Sequence, residues 1–513
     1  MQPELFSESA SRRVVRAASR LPEKVRSHWV LGADRTAGAM GVAITSALII
    51  WYALHFGHLT SEVHRAYGDS AFDIGLYDQG VWLLSRFHAP FVTLMGRNLF
   101  GDHTQFSLLA LVPLYWIRPN PTTLLYIQAW SLALGAVPVY LLAMRLLKRP
   151  AFATLLAAAF LLHPALAQSN LENYHPDSFL VPIIGFAIYA AVANKRRMFI
   201  VFCILALLCK EDAVLVVFPI ALWFAIRRHR RIGEIIAVGS VAWALFATNV
   251  IMRSLIGVPT LNTWRIPFGG VGGFLKETLR KPADVVKYFI KADHPNGRPF
   301  YLWQMVAPTG LVFLIAPEIA ATSVLVLGLN VVSTFGYQHQ IAYHYSMVAI
   351  PGLVLGTVYA ISRLKKERAQ RIALAVVVLS SLWAAFLWGP YPFSVHNRVA
   401  HLSPSYSSVK DINRIERRLP GNAVVSAYYA FAPHIAHRRR IYMWPTPFAA
   451  SNWKTFKQEG RRLPEAADVQ YLLLPPNLDD HTGVFDRIKS EFTEVARGEN
   501  ELHQGAVLYK RVK

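Results

Sequence analysis

Ala37-Gly-Ala-Met-Gly-Val-Ala-Ile-Thr-Ser-Ala-Leu-Ile-Ile-Trp-Tyr-Ala-Leu-His-Phe56 runs without a charged residue. A helix of about 20 apolar residues crosses the roughly 30 Å hydrocarbon core of a bilayer. The run is too long, and starts too far from Met1, for a typical cleaved signal peptide. Residues 1–36 are polar and basic, with Arg12, Arg13, Arg16, Arg20, Lys24, Arg26 and Arg35. They are expected to form a cytoplasmic N-terminus, with the Arg12-Arg13 pair part of that anchor and not a twin-arginine signal.

Working outward, apolar segments recur near 104–118, 122–147, 151–167, 178–193, 197–209, 212–226, 232–256, 301–316, 318–335, 347–362 and 372–389. The composition agrees: 54% of the 513 residues are hydrophobic and only 16% are charged, against about 25% in soluble proteins. Disorder is excluded by the 12% aromatic content. The net charge of +22 sits in short clusters between apolar runs, where the positive-inside rule puts it, so nucleic acid is not the expected partner. Cys203 and Cys209 lie in one apolar segment and are expected to be packing residues; neither a disulfide framework nor a CxxC metal motif is available.

Placing the basic clusters 145–149, 195–197, 227–231 and 363–371 on the cytoplasmic side gives a consistent thread if 104–147 crosses once. Thr122–Leu147 is then the span, and the Pro-interrupted 104–118 a re-entrant or interfacial helix. The expected fold is an all-α polytopic membrane domain over 37–389, of about 11 transmembrane helices plus that extra helix. A long first external loop covers 57–103. From about 390 to 513 the chain turns polar, with β-rich runs at Ala423–Ser426, Ile441–Trp444, Val469–Leu474 and Ala506–Tyr509 and helical patterns at Ser407–Arg418 and Thr482–Phe492. This predicts an extracytoplasmic α/β domain. Met198–Ile226, basic at both ends, carries Lys210-Glu211-Asp212 at its centre. Three ionisable groups cannot face lipid, so a hairpin with its tip in a water-filled cavity is expected, or a tip at the membrane surface.

This topology collects the candidate chemistry on the external side. Asp69 or Ser70, after Gly68, suits a helix N-cap, and Asp69 is the one expected there. Asp73 and Asp78 are five apart, roughly 140° around a helix, so one is expected to face the cavity and the other to orient the helix. A carboxylate just beyond the first span is suited to act as a general base for an acceptor hydroxyl. Asp102-His103 opens the next segment, where His103 has three readings besides a helix-start cap: an ion pair with Asp102, a phosphate contact or a metal ligand. Glu172, His175 and Asp177 have the residue types of a divalent-cation site, and equally those of a turn whose Asp caps the following helix. Lys210 suits a lipid phosphate as a point charge, or an ion pair with Glu211 or Asp212. His339, Tyr343 and His344 lie at the outer end of a span, where such residues bind sugars and phosphates and also serve as ordinary interface residues. GxSxG, Walker, HExxH and Rossmann motifs are missing, which removes most of the case for ATP-driven transport and for serine or zinc proteolysis.

Phe72-Asp-Ile-Gly-Leu-Tyr-Asp-Gln79, Gly101-Asp-His103, His175-Pro-Asp177, Lys210-Glu-Asp212 and Pro433-His-Ile-Ala-His-Arg438 resemble the signatures of a bacterial family of membrane proteins, domain-of-unknown-function family 2079. The resemblance runs from about Ala37 to the C-terminus, and its first motif is the most specific. That family is similar in layout to C-type glycosyltransferases, which have many spans, a long first external loop with the acidic catalytic residue, and polyprenyl-phosphate-linked sugar donors. The resemblance implies Asp73, or failing it Asp78, in the base position, with Lys210 and the His339/His344 pair toward the donor phosphate. The paired acidic motif of the best-understood members has no counterpart here.

The expected function is therefore glycosyl transfer from a polyprenyl phosphate to an envelope glycan, lipid or protein at the outer face of a bacterial plasma membrane. A flippase or transporter of lipid-linked sugars and a membrane assembly subunit are the competing classes. The loops' one-sidedness and the lack of a visible repeat weigh against transport. For Arg438–Arg440 an anionic-lipid or acceptor contact and a solvated turn both remain open.

Overall fold

The computed structural model describes residues 23–256, 263–290, 297–396, 403–451, 457–480 and 482–512. The N-terminal reading of residues 1–22 lies outside them.

The founding apolar run lies in a helix over Glu23–Arg65. One face of it, with Tyr52, Ala53 and Phe56, is buried, while Met40, Val42, Ile50, Trp51 and Leu54 are exposed. Large apolar side chains exposed along a whole helix face fit a lipid-facing surface. Among the described residues five helices are long and apolar enough to cross a membrane: Thr36–Arg65, Pro121–Leu147, Arg230–Ile256, His344–Arg363 and Glu367–Trp388. A sixth arises if Pro150–Leu161 and Pro164–Glu172, bent by 42° at their junction, form one span.

The other predicted segments are shorter or broken, so among the described residues length and composition single out five or six of the about 11 expected crossings. Proline and left-handed turns explain much of this. The 301–316 segment is helical only over Gly297–Val306, then passes Pro308 and Gly310 (φ +58°) as 3-10 turns. The 318–335 segment becomes a helix only over Val324–Val332. Residues 106–117 pass from a 3-10 turn into the short helix Val112–Ile117, with Leu109, Leu114, Trp116 and Ile117 exposed. Arg196–Cys209 and Val214–Arg227 are two short helices joined by a 3-10 turn at Glu211–Ala213, as the hairpin expectation has it.

His344–Arg363 is the central helix. A Cβ on Gly352 would stand 2.2 Å from Ser323 Oγ, and one on Gly356 2.6 Å from the Ala320 backbone N. Glycines four apart thus let Ala320–Ser323 lie directly against this helix, the small-residue packing used within membranes.

The polar C-terminal part forms a five-stranded sheet. The chain first makes a short hairpin of β1 (Phe91–Val92) and β2 (Arg97–Asn98). The sheet strands follow as β3 (Val425–Ala427), β4 (Ile441–Met443), β5 (Tyr471–Leu474), β6 (Phe492–Glu499) and β7 (Gly505–Arg511). Their order is β4-β3-β5-β7-β6; β3 runs parallel to β4 and β5, and β7 antiparallel to β5 and β6. Four of these fall at or beside the predicted runs. The predicted helix Thr482–Phe492 shrinks to Val484–Ile488 and a 3-10 turn, and β6 follows it unpredicted. As an edge strand β6 carries Glu494, Arg497 and Glu499, charges that protect a free edge and also disguise a strand.

This sheet does not pack alone. Tyr67, Ala71, Ile74, Val92 and Leu94 of the first long loop share one buried apolar cluster with Val409, Val425, Phe431, Ile441 and Leu508. Thr93 joins them through its hydroxyl, which donates to the Ile441 carbonyl (2.6 Å) and accepts from its N–H (2.9 Å).

Candidate functional site

The first motif folds as a π-helical turn, Ala71–Gly75, running into a helix over Leu76–Ser85. Wide turns of this kind occur often at functional sites because they re-aim a side chain. Ser70, not Asp69, occupies the N-cap, without a side-chain cap bond. Asp69 instead meets His64 Nδ1 at 2.5 Å, so the expected capping role is not the one observed.

Asp73 and Asp78 diverge as their spacing requires. Asp73 keeps 19% of its side-chain surface open and lies 3.5 Å from His175 Nε2. Asp78 has no exposed surface; it accepts from the Tyr115 hydroxyl (2.7 Å) and faces His437 Nε2 at 3.0 Å. The neighbouring Gln79 amide donates to Thr93 Oγ1 (3.0 Å) and to the Arg438 carbonyl (3.1 Å). Asp78 and Gln79 therefore seat this helix on the sheet region and leave Asp73 facing the helical bundle.

Beside Asp73 lies a group from three elements. His175 stacks on His344 with ring centroids 3.4 Å apart. Glu172 accepts from the His344 backbone N–H (2.7 Å) and stands 3.3 Å from its Nδ1. The ligand atoms of Glu172, His175 and His344 lie within 4.8 Å of one another, so a cation would be met by these three. Asp177, which the sequence groups with Glu172 and His175, belongs elsewhere: it accepts from Lys210 Nζ at 2.8 Å. It caps no helix, because the N-cap of Pro176–Phe179 is His175.

Lys210, only 5% exposed, is also 3.2 Å from Asp212. Burial works against its charge, yet the surrounding carboxylates, Asp177 first, hold its pKa well above the usual lysine value. At the same tip Glu211 accepts from the Thr104 N–H (3.0 Å) and hydroxyl (3.2 Å) and meets His103 Nδ1 at 2.6 Å. Burial alone would lower the His103 pKa, but the Glu211 carboxylate raises it to about 9. Burial likewise pushes Glu211 up, and His103 outweighs that, bringing it to about 2. Asp102 is mainly the partner of Arg97 (2.7 Å); His103 Nε2 is 4.0 Å away. The loop carrying Asp102 and His103 thus closes over the hairpin tip.

His339 is buried in the 3-10 turn Gly336–His339, which packs beside the His344 turn. Tyr343 lies against Tyr337 with its ring tilted by 50° (4.5 Å between centroids), and its carbonyl accepts from Ser169 Oγ. Neither belongs to the three-residue group around His344.

Sequence reasoning assigned no role to Tyr115 and His437, although His437 stands in a quoted motif. It also gave none to Arg265, whose guanidinium lies 4.4 Å from the centre of the Phe335 ring and 6.0 Å from that of Tyr345, next to His344. Of the Arg438–Arg440 run, Arg438 is buried and donates to the Ile435, Pro420 and Ala423 carbonyls, so neither expected role applies to it.

The family model for predicted membrane proteins designated DUF2079 matches residues 68–482, and the chain belongs to that family. In fold it is similar to ArnT from Cupriavidus metallidurans. The apo crystal structure superposes with a TM-score of 0.55 at 11% identity, over 91% of this chain and 98% of that one. The structure bound to undecaprenyl phosphate gives 0.52 at 12% identity with the same coverage. No curated protein matches in sequence. The resemblance to C-type glycosyltransferases thus holds for the fold.

Proposed function

We propose that this member of the DUF2079 family transfers a sugar from a polyprenyl-phosphate carrier to an envelope glycan, lipid or protein at the outer face of a bacterial plasma membrane. The face bearing the 57–103 loop and the 390–513 α/β domain is then the outer one, with the N-terminus cytoplasmic. The observation that carries this reading is the contrast at the first motif. Asp78 is sealed among Tyr115 and His437, whereas Asp73 keeps open surface and stands 3.5 Å from His175. A fold neighbour that binds undecaprenyl phosphate supports the donor class.

Asp73 takes the proton of the acceptor hydroxyl as its oxygen attacks the anomeric carbon. The bond from that carbon to the phosphate oxygen breaks, and the polyprenyl phosphate leaves with the electron pair, with inversion at carbon. His175, between Asp73 and Glu172, orients the base. Lys210 is occupied by Asp177 and Asp212 and holds the hairpin tip. Arg265 supplies charge toward the departing phosphate, where preorganised donors matter most. Asp78 serves as a positioning residue.

The test compares envelope glycans of a deletion strain complemented with wild type or Asp73→Asn. Loss of the base should lower transfer about 10²- to 10⁴-fold with membrane insertion intact. Near-normal transfer by Asp73→Asn would sink this assignment and bring transport or assembly forward.

A further inference from the structure

The Pro433–Arg438 motif has a second histidine that the proposed chemistry leaves unused. His434 reaches back from the sheet region to the end of the first membrane helix, where its ring lies parallel to that of His64 (centroids 4.2 Å apart, 3° between planes). Tyr67 covers the other face of His434 at 3.8 Å. His64 and Asp69 are both buried. The Asp69 Oδ1 and His434 Nε2 atoms are enclosed without a hydrogen-bond partner, although His434 also bonds the His64 backbone. Enclosed polar atoms left unpaired cost free energy, so their presence in one small space calls for an occupant.

One ligand atom from each of His64, Asp69 and His434 lies within 4.8 Å of the other two. We propose that these three residues bind a zinc-type divalent cation that clamps the first membrane helix to the sheet region. Two imidazoles and one carboxylate are a donor set zinc accepts, with a fourth position left for water. Imidazole favours a transition metal over magnesium or calcium. Tetrahedral ligands at about 2.0–2.1 Å stand about 3.3 Å apart, so the two rings open from their parallel stack on binding. The site is separate from Glu172, His175 and His344 and does not depend on the transferase reading. Its consequence is mechanical: Asp69 stands four residues before Asp73, so the ion would fix where that turn begins.

Purified full-length protein, equilibrated with zinc and desalted, is assayed for bound metal as wild type, His434→Ala and Glu172→Gln. His434→Ala should lose about one equivalent that Glu172→Gln retains. Wild type without zinc, equal zinc in His434→Ala, or loss confined to Glu172→Gln each overturns the site. Should His434→Ala not fold, His434→Cys loaded with Co2+ decides, because a thiolate ligand adds a sulfur-to-cobalt charge-transfer band. Its presence, with none in wild type, places the ion at 434; its absence overturns the proposal.

Discussion

Asp73 and Asp78 leave one short stretch of backbone and end in opposite surroundings. Asp78 is sealed between a tyrosine hydroxyl and an imidazole on the sheet side, while Asp73 faces the bundle, partly open, 3.5 Å from His175. Residue type and motif are the same; the neighbours differ. A carboxylate closed off from solvent and held by a tyrosine and an imidazole stabilises structure, whereas one with an open approach is available for proton transfer. Asp73 lies within the π-turn Ala71–Gly75 and Asp78 in the α-helix that follows it, so the two leave the backbone in different directions.

Exchanging the two substitutions breaks or supports this contrast. Asp73→Asn should lower transfer about 10²- to 10⁴-fold with little change in Tm. Asp78→Ala should do the reverse, costing about 1–3 kcal/mol of stability as Tyr115 and His437 lose their acceptor. A thermal-unfolding assay beside a transfer assay separates them; a catalytic loss in Asp78→Ala at unchanged Tm would reverse the roles. The hairpin tip extends the comparison to a full ion pair. Lys210→Ala leaves Asp177 buried without its cation and should cost about 3–5 kcal/mol, most of it recovered in the Lys210→Met/Asp177→Leu double variant. Equal losses in the single and double variants would show that the pair is not the source.

The neighbouring His103–Glu211 pair adds a pH dependence. The folded-state pKa of His103 is raised to about 9. Its contribution is therefore complete below the unfolded value of about 6.5 and is lost as pH rises through 9. Glu211, lowered to about 2, contributes fully above about 4.5 and loses that contribution only as pH falls through 2. Wild type should exceed His103→Phe in Tm most between about pH 4.5 and 6.5, with the gap shrinking toward pH 9. A gap that stays constant across that range would contradict the pairing.

The membrane character, the hairpin and most of the sheet were legible because each rests on local pattern: apolar runs, flanking arginines and β-rich runs. What was not legible depends on long-range pairing. Glu172, His175 and Asp177 look like one set in sequence, yet Asp177 pairs with Lys210, and His344 takes its place beside Glu172 and His175. Arg438 looks solvated within Arg438–Arg440 until three backbone carbonyls from the sheet region surround its guanidinium. Helix lengths misled for a local reason instead: Pro308 and Gly310 break a run that composition alone extends.

The smallest effect sharpens the comparison from the outside. On β6 Arg497 bonds Glu494 at 2.7 Å, a distance no longer than that of Lys210 to Asp177, but 40% of both side chains stays exposed. In water the charges lose little by separating, so Arg497→Ala should change stability by about 0.2–1 kcal/mol, and less at high salt. Lys210→Ala should be nearly insensitive to salt, because ions do not reach the buried pair. Measuring both variants at low and high ionic strength tests whether burial, and not distance, separates these ion pairs. Equal salt dependence would mean that water reaches the hairpin tip and that Lys210 is open to a phosphate after all.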